Sequence, residues 1–235
     1  PLLKGVPLSV IRDEVLQEPA KFVEYMHHEK ITRLVLVPSL LRAVLDLDVK
    51  LESRLSELKI CITSGEVLPI DLAERFLTAL PGVKLLNLYG SSEVAADVTA
   101  HEVTATDLTT GTIPIGRPIF NTKLYVLDSN RQPLPIGISG ELYVGGVQLA
   151  AGYLHRPELT KSRFVNNPFD NTGNSRLYRT GDLACYQADG ILNYLGRGDQ
   201  QIKVRGYRIE LAEIEHVLTQ HPAIREAVVT TRENV

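Results

Sequence analysis

Between residues 20 and 90 helical and strand periodicities alternate, and no other feature of the chain constrains its fold as tightly. In "PAKFVEYMHHEK" the residues Phe22, Val23 and Met26 fall on one helical face. "RLVLVPS" is a short apolar run closed by Pro38, which predicts a strand buried on both sides. "SLLRAVLDL", residues 39–47, predicts a helix with Ser39 as its cap. A strand in "LKICITSGE", a helix in "PIDLAERFLTAL" with Pro69 in its first turn, and a strand in "VKLLNLYG" follow. Such alternation predicts an α/β fold, a parallel sheet with flanking helices.

Beyond residue 110 the texture changes. "TKLYVLDSNRQPLPIGISGELYVGG" predicts two alternating strands around a polar turn, a small antiparallel or β-barrel-like unit. "LACYQADGILNYLGR" repeats the pattern, with Asp189-Gly190 as a hairpin turn. From Asp199 a small α+β subdomain begins: "QIKVRGYRIE" is strand-like and broken by glycine, and "LAEIEHVLTQH" carries Leu211, Ile214 and Leu218 at helical spacing. "AIREAVVTTRENV" reads as a further strand without partner or cap. The expected organisation is a core over 1–198, with its α/β layer over about 1–116 and a β-rich unit over about 117–198. Residues 199–235 would open the C-terminal subdomain. There is no internal repeat, and a chain that starts without Met and in mid-pattern reads as a fragment of a longer protein.

At 44% hydrophobic and 23% charged residues the 235-residue chain can build a real core, and a net charge of -3 points to neither nucleic acid nor an anionic membrane as partner. No run is long enough for a membrane span, and no signal peptide precedes the first motifs. Cys61 and Cys185 fit no metal or redox spacing and read as buried thiols of a cytoplasmic protein. Adjacent His27 and His28 cannot share a helix face, which argues against a metal pair.

In open parallel sheets ligands bind beyond the carboxyl ends of the strands. "TSGE" (63–66) and "YGSSE" (89–93) both stand just past such ends. Tyr89 offers a flat face to a purine, and Gly90 permits close backbone approach. Ser91 and Ser92 offer hydroxyls to phosphate oxygens, and Glu93 offers a carboxylate to magnesium. Asp182, after a glycine, suits the two hydroxyls of a ribose, and Arg197, between glycines, is a fork-shaped cation for hydroxyls or phosphate. Singly each reads equally as a polar loop or a surface ion pair; together they point to a nucleotide.

"LYGSSE", "GELYVGGVQLAAGYLHRPELTKSRF", "LYRTGDL" and "GRGDQQIKVRGYRIELAEIE" resemble, in order and spacing, the core motifs of adenylate-forming enzymes. They look most like the adenylation domains of nonribosomal peptide synthetases, and the similarity spans essentially the whole chain. The resemblance implies ATP-dependent activation of an amino acid as its adenylate, with Mg2+. Transfer to the phosphopantetheine thiol of a peptidyl carrier domain would follow, among other synthetase domains. It implies that Tyr89 stacks on adenine, with Asn87 and the turn at Gly65 lining that pocket. Glu93 would bind magnesium, Asp182 the ribose, and Arg197 would support the nucleotide. Asp199 would be the hinge of a mobile subdomain, and Lys203 and Gly206 would serve the pantetheine side. The family's phosphate loop would lie upstream of residue 1 and its bridging lysine beyond residue 235, so these residues alone are expected to be inactive.

The same resemblance places Val35, Ile62, Ser64, Leu88, Ala96 and Asp97 in the substrate pocket. That series is similar to the pocket of β-alanine-activating domains, where the amine needs an acid away from its usual place; a serine pocket is the alternative. Two further readings are an acyl-CoA ligase, which a carboxylate beside an aliphatic tail disfavours, and a non-catalytic nucleotide-binding module.

Overall fold

The computed structural model describes residues 5–170, 175–199, 201–221 and 223–230. The chain divides into two compact units, Pro1–Leu88 with Ala100–Ile113, and Tyr89–Thr99 with Pro114–Val235.

The first unit is the α/β one. Its elements are α1 (Asp13–Leu16), α2 (Pro19–His28), β1 (Arg33–Leu36), α3 (Pro38–Leu45), α4 (Leu51–Arg54), β2 (Ile60–Thr63) and α5 (Ile70–Ala79). β3 (Lys84–Ser91) and β4 (Ala96–Glu102) contribute their residues 84–88 and 100–102. β1, β2 and β3 are parallel neighbours, with Val35, Ile62 and Leu86 in line across them. Parallel neighbours need long crossovers, which the helices between these strands supply. Leu34, Leu36, Cys61 and Leu85 form the covered face of this sheet and pack in one core with Phe22, Val23 and Met26 of α2, Leu41 and Val44 of α3, and Leu72 and Phe76 of α5.

Two local expectations need correction. β1 is not buried on both sides, because Val35 between buried Leu34 and Leu36 is 65% exposed. A run in which every position is apolar cannot tell one-sided from two-sided burial. Nor is Ser39 the cap of α3. The helix starts at Pro38 with Val37 as N-cap, and its free N–H at Ser39 donates to Glu66 Oε2 at 2.8 Å. Proline fits the first helical position because it has no N–H to satisfy, and that shifts Ser39 inside the first turn.

The second unit holds β5 (Arg117–Pro118), β6 (Thr122–Leu127), β7 (Gly140–Gly146), α6 (Pro157–Arg163), β8 (Phe164–Asn166), β9 (Arg176–Tyr186) and β10 (Leu192–Arg197). It also takes in residues 89–91 of β3 and 96–99 of β4. An antiparallel five-stranded sheet runs β10-β9-β7-β6, with β8 also on β9, and curls as a half-barrel. Its core joins Leu142, Val144, Tyr178 and Leu192 to Tyr89, Val94 and Val98. The turn at Asp189-Gly190 forms as expected, with Gly190 at φ +81° and Ile191 N–H donating to Asp189 Oδ1 at 3.0 Å. β11 (Gln201–Val204) and β12 (Tyr207–Glu210) make a tight hairpin, and α7 (Leu211–Thr219) follows. Both turn residues, Arg205 and Gly206, have positive φ (50° and 78°), the twist that two-residue hairpins require. The strand expected over the last residues does not form across 223–230, where Val228 is 83% exposed; residues 231–235 lie outside the described residues. A lone strand has no ladder to satisfy its backbone.

Candidate functional site

Two carboxylates of the second unit, Asp182 and Glu93, are buried side chains, and each collects donors. Asp182 lies on β9 directly opposite Arg197 on β10, so the ladder register puts both side chains on one face. Arg197 donates from one terminal nitrogen to Asp182 Oδ1 at 2.9 Å, and from the other to the Thr180 carbonyl at 3.2 Å. Its remaining N–H groups fork onto Asp199 at 2.6 and 2.8 Å. Arg163 of α6 stands 3.5 Å from the same Asp199. Tyr89, 8% exposed at the end of β3, donates its hydroxyl to Asp182 Oδ2. The Tyr194 ring tilts against that of Tyr89 at 5.9 Å and directs its hydroxyl to Asp182 Oδ1 at 3.5 Å.

Burial raises the pKa of Asp182, and the Tyr89 hydroxyl with the charges of Arg197 and Lys203 offsets only part of that rise. Burial works against the charge of Arg197 too, but Asp199 and Asp182 outweigh it and keep the guanidinium firmly protonated. Gly181 gives this corner its shape: a Cβ there would stand 2.6 Å from Asp199 Oδ2, and its φ of +78° disfavours any other residue.

Glu93 sits in the short turn between β3 and β4. Tyr153 donates to its Oε1 at 2.8 Å, and Arg208 of β12 donates to Oε1 at 2.7 Å and Oε2 at 2.8 Å. The Glu93 carbonyl accepts the Ala150 N–H at 2.9 Å, which ties the turn to the loop that carries Tyr153. Burial opposes the charge of Glu93, but the Tyr153 hydroxyl, its own backbone, Arg208 and Ser91 together hold its pKa below the ordinary value. Ser91 Oγ is buried and, though near enough to favour that charge, meets no partner with hydrogen-bond geometry among the described residues. The two residues after Val94 are strained, with Ala95 at φ 57° and Ala96 at φ 83°. Non-glycine residues there cost of order 1–2 kcal/mol each.

Lys203 of β11 stands 5.9 Å from the centroid of the Tyr89 ring. It is the cross-strand partner of Arg208, so the hairpin presents both cations on one face. Burial lowers the pKa of Lys203, with attraction to Asp182 working against it.

The remaining expected site residues lie as follows. In the first unit Val35, Ile62 and Leu88 occupy the less buried face of the parallel strands, and Ser64 follows the end of β2. Asn87 is on the opposite, covered face, 3% exposed beside Thr63. Gly65 turns the chain at φ +88° toward Glu66. In the second unit Ala96 is exposed, Asp97 half-buried on β4, and Ser92 exposed. Gly90 sits against its own chain, because a Cβ there would come within 1.7 Å of the Ala96 carbonyl oxygen. Tyr153, Tyr194, Arg163 and Arg208 also join these clusters; the sequence alone does not mark them out, although all four lie within the stretches quoted above.

Among the described residues no group of three or more His, Cys, Asp or Glu is placed to hold a metal ion. A magnesium ion that arrives on a nucleotide asks for less, since it takes one or two carboxylates and otherwise phosphate oxygens and water. The Glu93 carboxylate, kept ionised, is the kind of ligand such an ion takes, and in this structure its two oxygens are held by Arg208 and Tyr153. Among the described residues no helix is long and apolar enough to cross a membrane. Cys61 is inert by burial, which pushes its thiol up to about 12.

The chain is similar to malpibaldin synthetase from Mortierella alpina, 41% identical over 97% of this chain and 4% of that protein. It is 40% identical to a dimodular nonribosomal peptide synthase of Bacillus subtilis (strain 168), over 100% of this chain and 10% of that one. It thus spans a small part of the curated relatives it matches. A solved NRPS protein containing adenylation and PCP domains superposes with a TM-score of 0.82 at 32% identity, over 92% of this chain and 43% of that one. The sequence model of the AMP-binding enzyme family matches residues 1–154. The chain belongs to the AMP-binding enzyme family, and within it resembles the adenylation domains of nonribosomal peptide synthetases.

Proposed function

We propose that these residues form the nucleotide-holding part of an enzyme that activates an amino acid with ATP and passes it to the phosphopantetheine thiol of a carrier domain. The observation that carries the reading is the buried cluster in which Tyr89 and Arg197 converge on Asp182. An aromatic ring beside a buried carboxylate, itself held by a guanidinium, has the chemistry of an adenosine site. Tyr89 takes adenine, Asp182 accepts the ribose hydroxyls, and Arg197 fixes Asp182 while reaching Asp199, the hinge. In the first unit Asn87 and the Gly65 turn are the residues proposed for the base, and in the second Gly90, Ser91 and Ser92 are those proposed for the phosphates.

In the first step a carboxylate oxygen of the substrate attacks the α-phosphorus. The bond from that phosphorus to the bridging oxygen breaks, and pyrophosphate leaves with the electron pair. In the second the thiol sulfur attacks the acyl carbon, its proton is lost to solvent, and AMP departs. Magnesium bound with the nucleotide neutralises phosphate charge, and Glu93 is the side chain that would hold it. Catalysis here is positioning and charge stabilisation, with no side-chain nucleophile. Lys203 and Gly206 serve the pantetheine side after rotation about Asp199. Such an enzyme would work in the cytoplasm, beside its carrier and partner domains.

The substrate we infer is β-alanine. Val35, Ile62, Ser64, Leu88, Ala96 and Asp97 are its proposed contacts, with Asp97 as counter-ion of the ammonium. Removing one partner of such a pair costs roughly 2–5 kcal/mol, or about thirty-fold to several-thousand-fold. In a complete enzyme carrying these residues, Asp97→Ala should therefore collapse kcat/KM for β-alanine while sparing propionate, which lacks the ammonium. Pyrophosphate release with both acids measures this. An unchanged preference for β-alanine removes Asp97 from the substrate; activation of serine instead corrects the substrate, and of simple aliphatic acids with free CoA, the class.

A further inference from the structure

Asp182, the proposed ribose acceptor, does not sit on a regular ladder. β7 and β9 pair as Glu141↔Leu183 and again as Tyr143↔Arg179; between these pairs stands Leu142 alone on β7, and Thr180, Gly181 and Asp182 on β9. β9 therefore bulges where Asp182 leaves it. A bulge takes backbone groups out of the ladder, and buried ones still need partners. Side chains supply them here. Thr180 donates its buried hydroxyl to the Leu142 carbonyl at 2.7 Å and accepts the Asp182 N–H at 3.0 Å. The Gly181 N–H donates to Glu141 Oε1 at 3.1 Å, and the Gly181 carbonyl accepts the Gly198 N–H at 2.9 Å. Glu141 is itself held in place. Arg179 donates from Nε to both its oxygens at 2.9 Å, and buried Tyr143 donates to Oε2 at 3.4 Å. The Glu141 side chain is 19% exposed, so its bond to the amide is largely shielded from water.

We propose that Glu141 is a positioning residue for the nucleotide: by holding the Gly181 N–H it locks the β9 bulge that aims the Asp182 carboxylate at the ribose hydroxyls. The inference rests on reading Asp182 as the ribose acceptor. Tyr89 and Arg197 hold the oxygens of that carboxylate but not its backbone. The backbone turns at Gly181, with φ +78°, and glycine has no side chain of its own to fix such a conformation. With no acceptor for its N–H, the peptide between Thr180 and Gly181 turns toward water, and the next residue, Asp182, loses its aim. Glu141 bonds to the chain one residue before Asp182, so its effect on the ligand passes through that carboxylate.

The test compares ATP with its 2′,3′-dideoxy analogue, each with Mg2+ and without amino acid so that no adenylate forms. Calorimetry follows binding to a complete enzyme carrying these residues and to its Glu141→Ala and Glu141→Gln variants. The wild type should hold ATP at least about tenfold tighter than the analogue, the worth of a hydrogen bond to a charged group. Glu141→Ala should bring that ratio toward one, weakening ATP roughly tenfold and the analogue less than about twofold. Glu141→Gln, whose side-chain carbonyl still accepts the Gly181 N–H, should keep most of the ratio. Equal weakening of both nucleotides by Glu141→Ala would give Glu141 a merely structural role. That result, an unchanged ratio, or a Glu141→Gln no better than Glu141→Ala overturns the proposal and leaves the ribose reading standing. A wild type that holds both nucleotides alike, or neither, takes down the ribose reading and the proposal with it. Should Glu141→Ala not fold, Glu141→Asp, one methylene short of the Gly181 amide, carries the same prediction.

Discussion

Asp107 shows how one residue can tie a loop to its unit. It accepts the Thr104 N–H at 2.7 Å, the Thr104 hydroxyl at 2.9 Å and His101 Nε2 at 2.9 Å. Burial opposes its charge, but these donors prevail and hold its pKa below the ordinary value. A depressed carboxylate stabilises the fold above its unfolded pKa, and that stability is lost as pH falls through the folded value. Asp107→Asn should therefore lower the unfolding free energy at pH 7 by about 1–3 kcal/mol, and the deficit should shrink toward pH 2. Denaturant titrations at both pH values check this; an equal deficit at both would mean that shape, not charge, is what Asp107 supplies. Residues of this kind were only partly legible. Glu93, Asp182 and Arg197 stood out because each sits in an ordered run of motifs, whereas Arg208 and Tyr153 meet Glu93 across 115 and 60 residues. No local pattern announces a partner so distant.

At the scale of elements, the helices and hairpins were the readable part, since their periodicities repeat within a few residues. Phe22, Val23 and Met26 are buried on α2, and the β6–β7 and β9–β10 hairpins pair as their alternation predicts. Boundaries were harder. Glu66 reaches α3 from 27 residues away and takes the place a local cap would fill. The approach of β3 to β4 was also hidden, because it depends on an atom that is missing: at Gly90 a Cβ would meet the Ala96 carbonyl oxygen at 1.7 Å and Asp97 Cα at 2.6 Å. Both neighbours are backbone and cannot swing aside. Gly90→Ala should cost about 3 kcal/mol of unfolding free energy, the upper range for overpacking. A loss below about 1 kcal/mol would show that β4 yields easily, and that the strained residues Ala95 and Ala96 at its start absorb the shift.

For the molecule as a whole, one unit carries a parallel sheet with three of the proposed substrate residues on its open face. The other carries the acidic cluster, its guanidinium partners and the hairpin that faces them. The central claim is that the cluster around Asp182 binds the nucleotide of an amino-acid-activating enzyme. Amino-acid-dependent exchange of labelled pyrophosphate into ATP tests it most directly, in a complete enzyme carrying these residues and in its Asp182→Ala variant. Label should enter ATP when β-alanine is supplied, and Asp182→Ala should lose roughly thirty-fold or more of that rate, the cost of leaving Arg197 and the ribose without their acceptor. Undiminished exchange in Asp182→Ala, or exchange with no amino acid at all, would contradict it.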